Sequence, residues 1–492
     1  MKKTDLIRAF IPGGLLSPRD FRKILDIARD MGNETVHFGS RQDIMFPGDE
    51  VDQRKLDEEF GSIRTQYEWS GQRYQNIVTS FVAVDIMPTT PWVTTGTYYN
   101  VLDTFDYRPR LKVNVTDPKQ SLVPLFNGQL NFVASEHEDY WYLFLKFNPT
   151  DDLRRWPVLI SSYDIGKVAA ALEQLYFDAN RDQSVATDLL FQNINQELQT
   201  NNRTIDKELE LPSEPFPYYE GLNKMAGSKY WLGLYWRNNR YTISFLEKVC
   251  DLCSRTNIGK IIITPWKSFI VKGIREEDRD KWELLCGRNG INLRHSSLEL
   301  NWHLPVLNEH ALKQKKYLVN VFDKHDISTY GLTFSIKERP INLFTSVAIL
   351  MHPSIRLFGK YNLQKRYNVF YSKNFNPNEE KYIPFAMHVT KRELPNVLMK
   401  LSRIYYDQLD DDGQDRIWEE PEEAPDTQTV HQCPDCMTIY DQRYGDPTAE
   451  IPEGTPFEDL PEGYRCPLCE TPKSEFKELE MELEGSKVKC QK

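Results

Sequence analysis

Apolar residues between Ser17 and Met31 recur roughly every three or four positions, the spacing of one helix face. Ser17 stands where a capping hydroxyl is wanted, and Pro18 where a backbone N–H is not, so the stretch predicts a capped amphipathic helix. Thr35 to Gly48 then reads as extended chain broken once near its middle. The same order returns some 225 residues later: a helical stretch from Thr242 to Thr256, then an extended one from Lys260 to Gly273. The two units align without a gap from Ser17 and Thr242 to Gly48 and Gly273, each reading helix, turn, strand, break, strand. A unit this small cannot bury both faces by itself, so the two are expected to pack together.

Each unit is followed by further strand signals: residues 110–115, 129–134 and 140–147 after the first, and 330–336 and 367–371 after the second. Alternation at Leu111, Val113 and Val115 predicts a half-buried strand. A helix over 391–406 closes the second half, and the Asn-, Glu- and Pro-bearing stretch near 198–220 reads as the connector. The expected domains are 1–200, 221–406, an acidic linker 407–430, a small module 431–478 and a tail 479–492.

Composition adds a setting. The chain has 492 residues, enough for about three domains. Its eight cysteines do not make a disulfide framework. Met1–Phe10 lacks the apolar run of a signal peptide, and no stretch is long and apolar enough to span a bilayer. The expectation is a reduced, cytoplasmic protein without a membrane partner.

The net charge of −11 is unevenly spread. Residues 407–426 hold ten acids and one base, residues 431–478 eleven acids and four bases, and the body 1–406 is left at about +5. An acidic arm on a basic body argues against nucleic-acid binding by the arm and favours docking on a basic surface, on the body or on a partner.

The chemistry concentrates in two knuckles, Cys433-Pro434-Asp435-Cys436 and Cys466-Pro467-Leu468-Cys469, separated by 29 residues. Each places two sulfurs on one tight turn, so four thiolates can close a tetrahedron around iron or zinc. Iron would make an electron-transfer centre; zinc would make a structural clip.

Residues 431–478 resemble rubredoxin through Tyr440-Asp441, Gly445-Asp446-Pro447, the run Pro452–Pro461, Tyr464, Lys473 and Phe476. The resemblance implies one iron cycling between ferric and ferrous on Cys433, Cys436, Cys466 and Cys469. It also implies a small aromatic core of Tyr440, Phe457, Tyr464 and Phe476. Met437 and Glu470 stand where rubredoxins usually carry the glycines that let backbone N–H groups aim at sulfur.

The two-fold plan of residues 11–405 resembles the sirohaem sulfite and nitrite reductases, through Gly14–Ser17, Ser40-Arg41-Gln42, Asn131–Ala134 and the bases around Arg110. The resemblance implies an α+β fold: two pseudo-repeated ferredoxin-like halves, each followed by an α/β segment, with the rubredoxin-like module appended. Arg41, Arg110 and Lys112 match substrate-side cations of that family, Arg110 and Lys112 being two apart on one strand, and are a possible anion site. Gln75 replaces a further arginine. Lys146-Phe147 and Ser372-Lys373 replace small residues near the macrocycle. No cysteine lies between Cys286 and Cys433, and Cys250 and Cys253 align with core positions Leu25 and Ala28. Neither a cubane cluster nor sirohaem is therefore expected. His303 and His310 complete no ligand set, and Gly13-Gly14 lacks the spacing of a phosphate loop, so neither flavin nor nicotinamide is supported.

The expected function is electron transfer by an Fe(Cys)₄ module on a cofactor-free reductase-like scaffold, serving a redox partner in nitrite, nitrate or sulfite assimilation. Two alternatives stay open: a divergent tetrapyrrole-dependent reductase fed by its own module, and an interaction protein with structural zinc.

Overall fold

The computed structural model describes residues 5–482 apart from 49–51, 72, 149–151, 179–186, 213–214, 226, 292–300, 341–342, 352–355, 358–360, 363–365, 380, 411–426, 435–438, 441, 443–444, 447–448, 450, 453, 468 and 470. Contacts divide the chain into two units, Met1–Asp410 and Asp411–Lys492.

In the first unit the predicted repeat is realised with the same offset of residues. Helices Pro18–Asp30 and Ile243–Arg255 are 13 residues each. The Ser17 Oγ accepts from the Asp20 N–H at 3.0 Å, while Thr242 makes no side-chain cap bond. The helices lie side by side, with Arg22 bonded to Asp251 at 3.0 Å and Arg29 paired with Glu247. Their apolar faces, Phe21, Ile24 and Leu25 on one and Phe245, Leu246 and Val249 on the other, enter one core with the strands of both halves. The Phe38 ring sits 4.5 Å from Tyr241 and 6.0 Å from Phe269, so residues of opposite repeats meet at its centre.

The two antiparallel sheets are interlocked. The first contains Leu6–Ala9, Thr35–Phe38, Ile44–Pro47 and Tyr67–Trp69, and its outer strand is Tyr241–Thr242 from the second half. The second contains Gly221–Met225, Lys229–Leu234, Ile261–Ile263 and Phe269–Arg275, and its outer strand is Leu15–Leu16 from the first half. Each half thus lends the strand just ahead of its helix to cover the other's open edge.

Behind these sheets lie two more, also related by the repeat. One runs Val78–Thr79, Val113–Thr116, Leu130–Ala134, Tyr140–Leu145, Val158–Ser161, Asn202–Thr204, with the first three strands parallel. The other runs Trp302–His303, Phe334–Lys337, Val347–Met351, Arg366–Ser372, Tyr382–Thr390, again with three parallel strands first. The expectation of a half-buried strand around Val113 is corrected here. All of Val113–Thr116 is buried, Asn114 and Thr116 included, because Leu125, Phe126 and Val133 cover the far face. Buried strand polars need partners, and the Asn114 side chain has them in Arg41, Asn127 and the Leu125 carbonyl. Arg110 and Lys112 precede this strand rather than sharing one of its faces. The closing helix runs Leu394–Asp410, starting later than predicted and continuing into the acidic stretch.

Gly14 sits where the halves meet. Its φ is +70°, and a Cβ there would stand 2.5 Å from the Ile263 carbonyl oxygen. That same carbonyl accepts from Gln42 Nε2 at 3.0 Å, and the Gln42 amide also exchanges two bonds with the Thr79 backbone. Gly14→Ala combines a strained backbone with a backbone clash and is expected to destabilise the body by more than about 1 kcal/mol. A calorimetric scan of the full chain checks this: the transition of the larger unit should fall while that of the small module stays in place.

Candidate metal centre and candidate anion site

The small unit is built on three antiparallel strands, Thr427–Gln432, Ile439–Tyr440 and Lys477–Glu482. The rings of Tyr440, Phe457, Tyr464 and Phe476 gather beside them, with centroid separations of 5.7 Å for Tyr440–Phe457 and 5.5 Å for Phe457–Phe476. His431 stacks flat on Phe457 at 3.8 Å, a ring that the sequence pattern did not bring in. Lys473 Nζ donates to the carbonyls of Glu458 and Leu460 at 2.7 and 2.8 Å and lies over the Phe457 ring, which ties the last turn to the central loop. Gly445 (φ +57°) is required, because a Cβ would sit 2.5 Å from the carbonyl oxygens of both Ile451 and Pro452.

Against this wall stand the cysteines. Cys433 follows the first strand and is 0% exposed; Cys466 is 1% exposed; Cys469 reaches the surface. Their three sulfurs lie within 4.8 Å of one another, Cys433 and Cys469 at 3.4 Å. Four thiolates bound at about 2.3 Å in a tetrahedron have sulfur–sulfur edges of about 3.8 Å, so the three fit the corners of such a site. The fourth predicted ligand, Cys436, lies outside the described residues, as do Met437 and Glu470.

In the body, Arg41 is 7% exposed and its guanidinium donates to Asn114 Oδ1 at 2.6 Å and to the carbonyls of Asn76 and Val113 at 2.8 and 2.6 Å. Burial pulls its pKa down to about 9. Lys112 is brought close to it: burial, then repulsion from Arg41 and Arg8, lowers Lys112 to about 8. Arg110 turns elsewhere, its guanidinium 3.5 Å from the centre of the Phe177 ring. The sequence reading missed the other cations. Lys267, at the repeat position of Gln42, is pushed down to about 7 by burial and then by Lys337 and Lys315. Lys337 is lowered to about 7 by burial and then by Lys112. His303 is held well below the usual imidazole range by burial, then Lys267 and Lys337. Among the described residues Asp43 opposes this group's repulsion, easing Lys267 and Arg41 while bonded to Arg8 at 3.2 Å. One signal was available: Lys267 is a base inside an apolar strand–turn–strand, aligned with the neutral Gln42 of the first repeat.

Cys250, Cys253 and Cys286 are core residues whose thiols burial pushes up, Cys250 and Cys286 to about 12. His303 is buried in the cationic group and His310 lies on the surface. Phe147 stacks on Tyr176 at 4.9 Å. Among the described residues no helix is long and apolar enough to cross a membrane.

A three-stranded module with a thiolate cluster and an aromatic wall, joined to a body of two interlocked halves, defines a candidate metal-binding domain on a two-fold α+β fold. The rubredoxin family model matches residues 430–476, and that of the nitrite/sulfite reductase ferredoxin-like half domain matches residues 1–58. A probable rubredoxin of Methanothermobacter thermautotrophicus is 50% identical over 50 residues, 10% of this chain and 79% of that protein. The probable rubredoxin HupI of Bradyrhizobium diazoefficiens is 49% identical over 49 residues, 10% of this chain and 71% of that protein. The solved structure of the Mycobacterium tuberculosis NirA protein matches with a TM-score of 0.65 at 15% identity, covering 81% of this chain and 80% of that one. Through its C-terminal domain the chain belongs to the rubredoxin family, and its body has the fold of a nitrite/sulfite reductase.

The Tyr464 hydroxyl donates to Asp446 Oδ2 at 2.9 Å inside the module, and burial followed by that carboxylate raises its pKa. Tyr464→Phe should cost the module about 1–3 kcal/mol. Urea unfolding of the metal-loaded chain, followed through the thiolate chromophore, measures the loss.

Proposed function

We propose that the chain is a one-electron carrier in which Cys433, Cys436, Cys466 and Cys469 hold a single iron, and in which the body positions the module for a redox partner. The observation that carries this reading is the close set of three cysteine sulfurs inside a rubredoxin domain. Iron in such a set supplies a reversible ferric–ferrous couple. The chain's own contribution is an environment. Cys433 and Cys466 are closed off from water, the rings of Tyr440, Phe457, Tyr464 and Phe476 limit rearrangement on that side, and Cys469 opens a short route to the surface. The module's excess of acids suits a partner with a basic face, and the fold of the body favours nitrite or sulfite assimilation as the setting. Full-length protein produced with ample iron should hold one iron per chain and lose its visible absorption on dithionite reduction. Stoichiometric zinc without reducible iron would sink the reading in favour of a structural clip.

We further propose that the cations of the body, centred on Lys112, Lys267 and Lys337 beside Arg41, receive an oxyanion. Arg110 drops out of this set because its guanidinium is engaged with Phe177. The reading rests on basic groups from both halves, Arg41 and Lys267 buried and Lys112 and Lys337 half-buried, that repel one another, with Asp43 acting against that repulsion on Lys267 and Arg41. The lysines' folded pKa values lie below their unfolded value near 10.5, so the unfolded chain binds more protons between about pH 7 and 10.5. Their penalty is fully present below about pH 7 and relieved as pH rises. A bound anion offsets that penalty where the lysines are charged. Sulfate at about ten times its dissociation constant should add about 1.4 kcal/mol, more at about pH 6.5 than at about pH 9. Thermal melts against chloride at matched ionic strength test this, and equal gains at both pH values reject it. The same purified chain answers the tetrapyrrole alternative, since a bound macrocycle adds absorption bands that iron–thiolate lacks.

A further inference from the structure

Thr471 is 5% exposed and lies two residues beyond Cys469. Its position is fixed from the backbone: its carbonyl accepts from the Cys466 N–H at 2.9 Å, and the neighbouring residues Arg465 and Pro472 form a bridge. A β-branched side chain on so constrained a backbone has few rotamers. The one it adopts brings Thr471 Oγ1 to 3.0 Å from Cys469 Sγ. Between a thiol and a hydroxyl either atom can donate. A thiolate that ligates a metal has no proton, so there the hydroxyl donates and the sulfur accepts. The bond falls on the sulfur that reaches the surface, whereas Cys433 and Cys466 are closed in. In the sequence, Glu470 stands where rubredoxins usually have glycine after the fourth cysteine, and the hydroxyl one residue further reaches that cysteine's sulfur.

We propose that the Thr471 hydroxyl is a determinant of the module's reduction potential, holding it up by donating a hydrogen bond to the Cys469 thiolate. The physical basis is the charge on sulfur. When one electron enters, the thiolates become more negative, and a charge-assisted bond to one of them strengthens. The bond therefore favours the reduced state. No covalent bond forms or breaks: the proton stays on Oγ1 in both states, and the electron comes from the redox partner. Thr471 acts through Cys469 and is a positioning residue for charge, not a ligand.

This inference rests on the iron reading above, and the test separates the two. Full-length chains carrying Thr471→Val, which keeps shape and removes the hydroxyl, and Thr471→Ser, which keeps the hydroxyl, are loaded with iron and titrated by spectroelectrochemistry. Thr471→Val should lose about tenfold in the equilibrium constant for reduction, a fall of about 59 mV for a one-electron couple, and its charge-transfer bands should shift. Thr471→Ser should stay within about threefold of the parent. Thr471→Ala replaces the valine variant if that one does not load iron. A parent chain without reducible iron overturns the iron reading. A parent with iron, matched in potential and spectrum by Thr471→Val, overturns this inference alone. Failure of both hydroxyl-free variants to load iron also overturns it, by assigning Thr471 to building the site.

Discussion

The body depends on an exchange. Each of its two antiparallel sheets ends in a strand that belongs to the other half, Tyr241–Thr242 on one and Leu15–Leu16 on the other. An uncovered sheet edge leaves backbone N–H and C=O groups without partners, so neither half satisfies its backbone alone. The exchanged strands lead directly into the two paired helices, which fixes the helices against each other and makes Phe38, Tyr241 and Phe269 neighbours in one core.

Within that symmetric frame the two halves have diverged at one loop. Arg41, Gln42 and Asp43 correspond to Trp266, Lys267 and Ser268, and Gln42 and Lys267 share the same left-handed backbone, φ +59° and +62°. The backbone is conserved between the repeats while the chemistry is not. On the first side a guanidinium ties the ferredoxin-like half to the strand at Val113. On the second an indole does the equivalent work, donating to the Leu122 carbonyl at 2.7 Å and packing on Phe216 and Phe344. The charge displaced from the arginine position reappears next door as Lys267. One loop has become a polar tie, the other an aromatic plug with a desolvated ammonium beside it.

Much of this was legible in the chain. The repeat at Ser17 and Thr242 was visible because helical periodicity persists over thirteen residues, and the module because its knuckles and aromatic positions occur at fixed spacing. The exchanged strands were not legible: they are two residues long, too short to carry a period. Full burial of Val113–Thr116 was hidden by Asn114 and Thr116, whose polarity imitates a solvent face when their partners sit far away in sequence. The gathering of Lys112, Lys267 and Lys337 depends on tertiary placement of segments far apart in the sequence. Thr471 carried no signal beyond its distance from Cys469, since a threonine that near a ligand can face either way.

The exchange also says something about ancestry and assembly. A chain of half this length with the same pattern would present a bare sheet edge and a protruding strand that matches it. Its lowest-energy solution is to meet a second copy and trade strands, a two-fold homodimer. Joining two such copies end to end makes that encounter intramolecular, with the connector near residue 200 setting the local concentration. Once covalently linked, the partners no longer need to be identical. That freedom is what allows an arginine in one loop and a tryptophan in its mate.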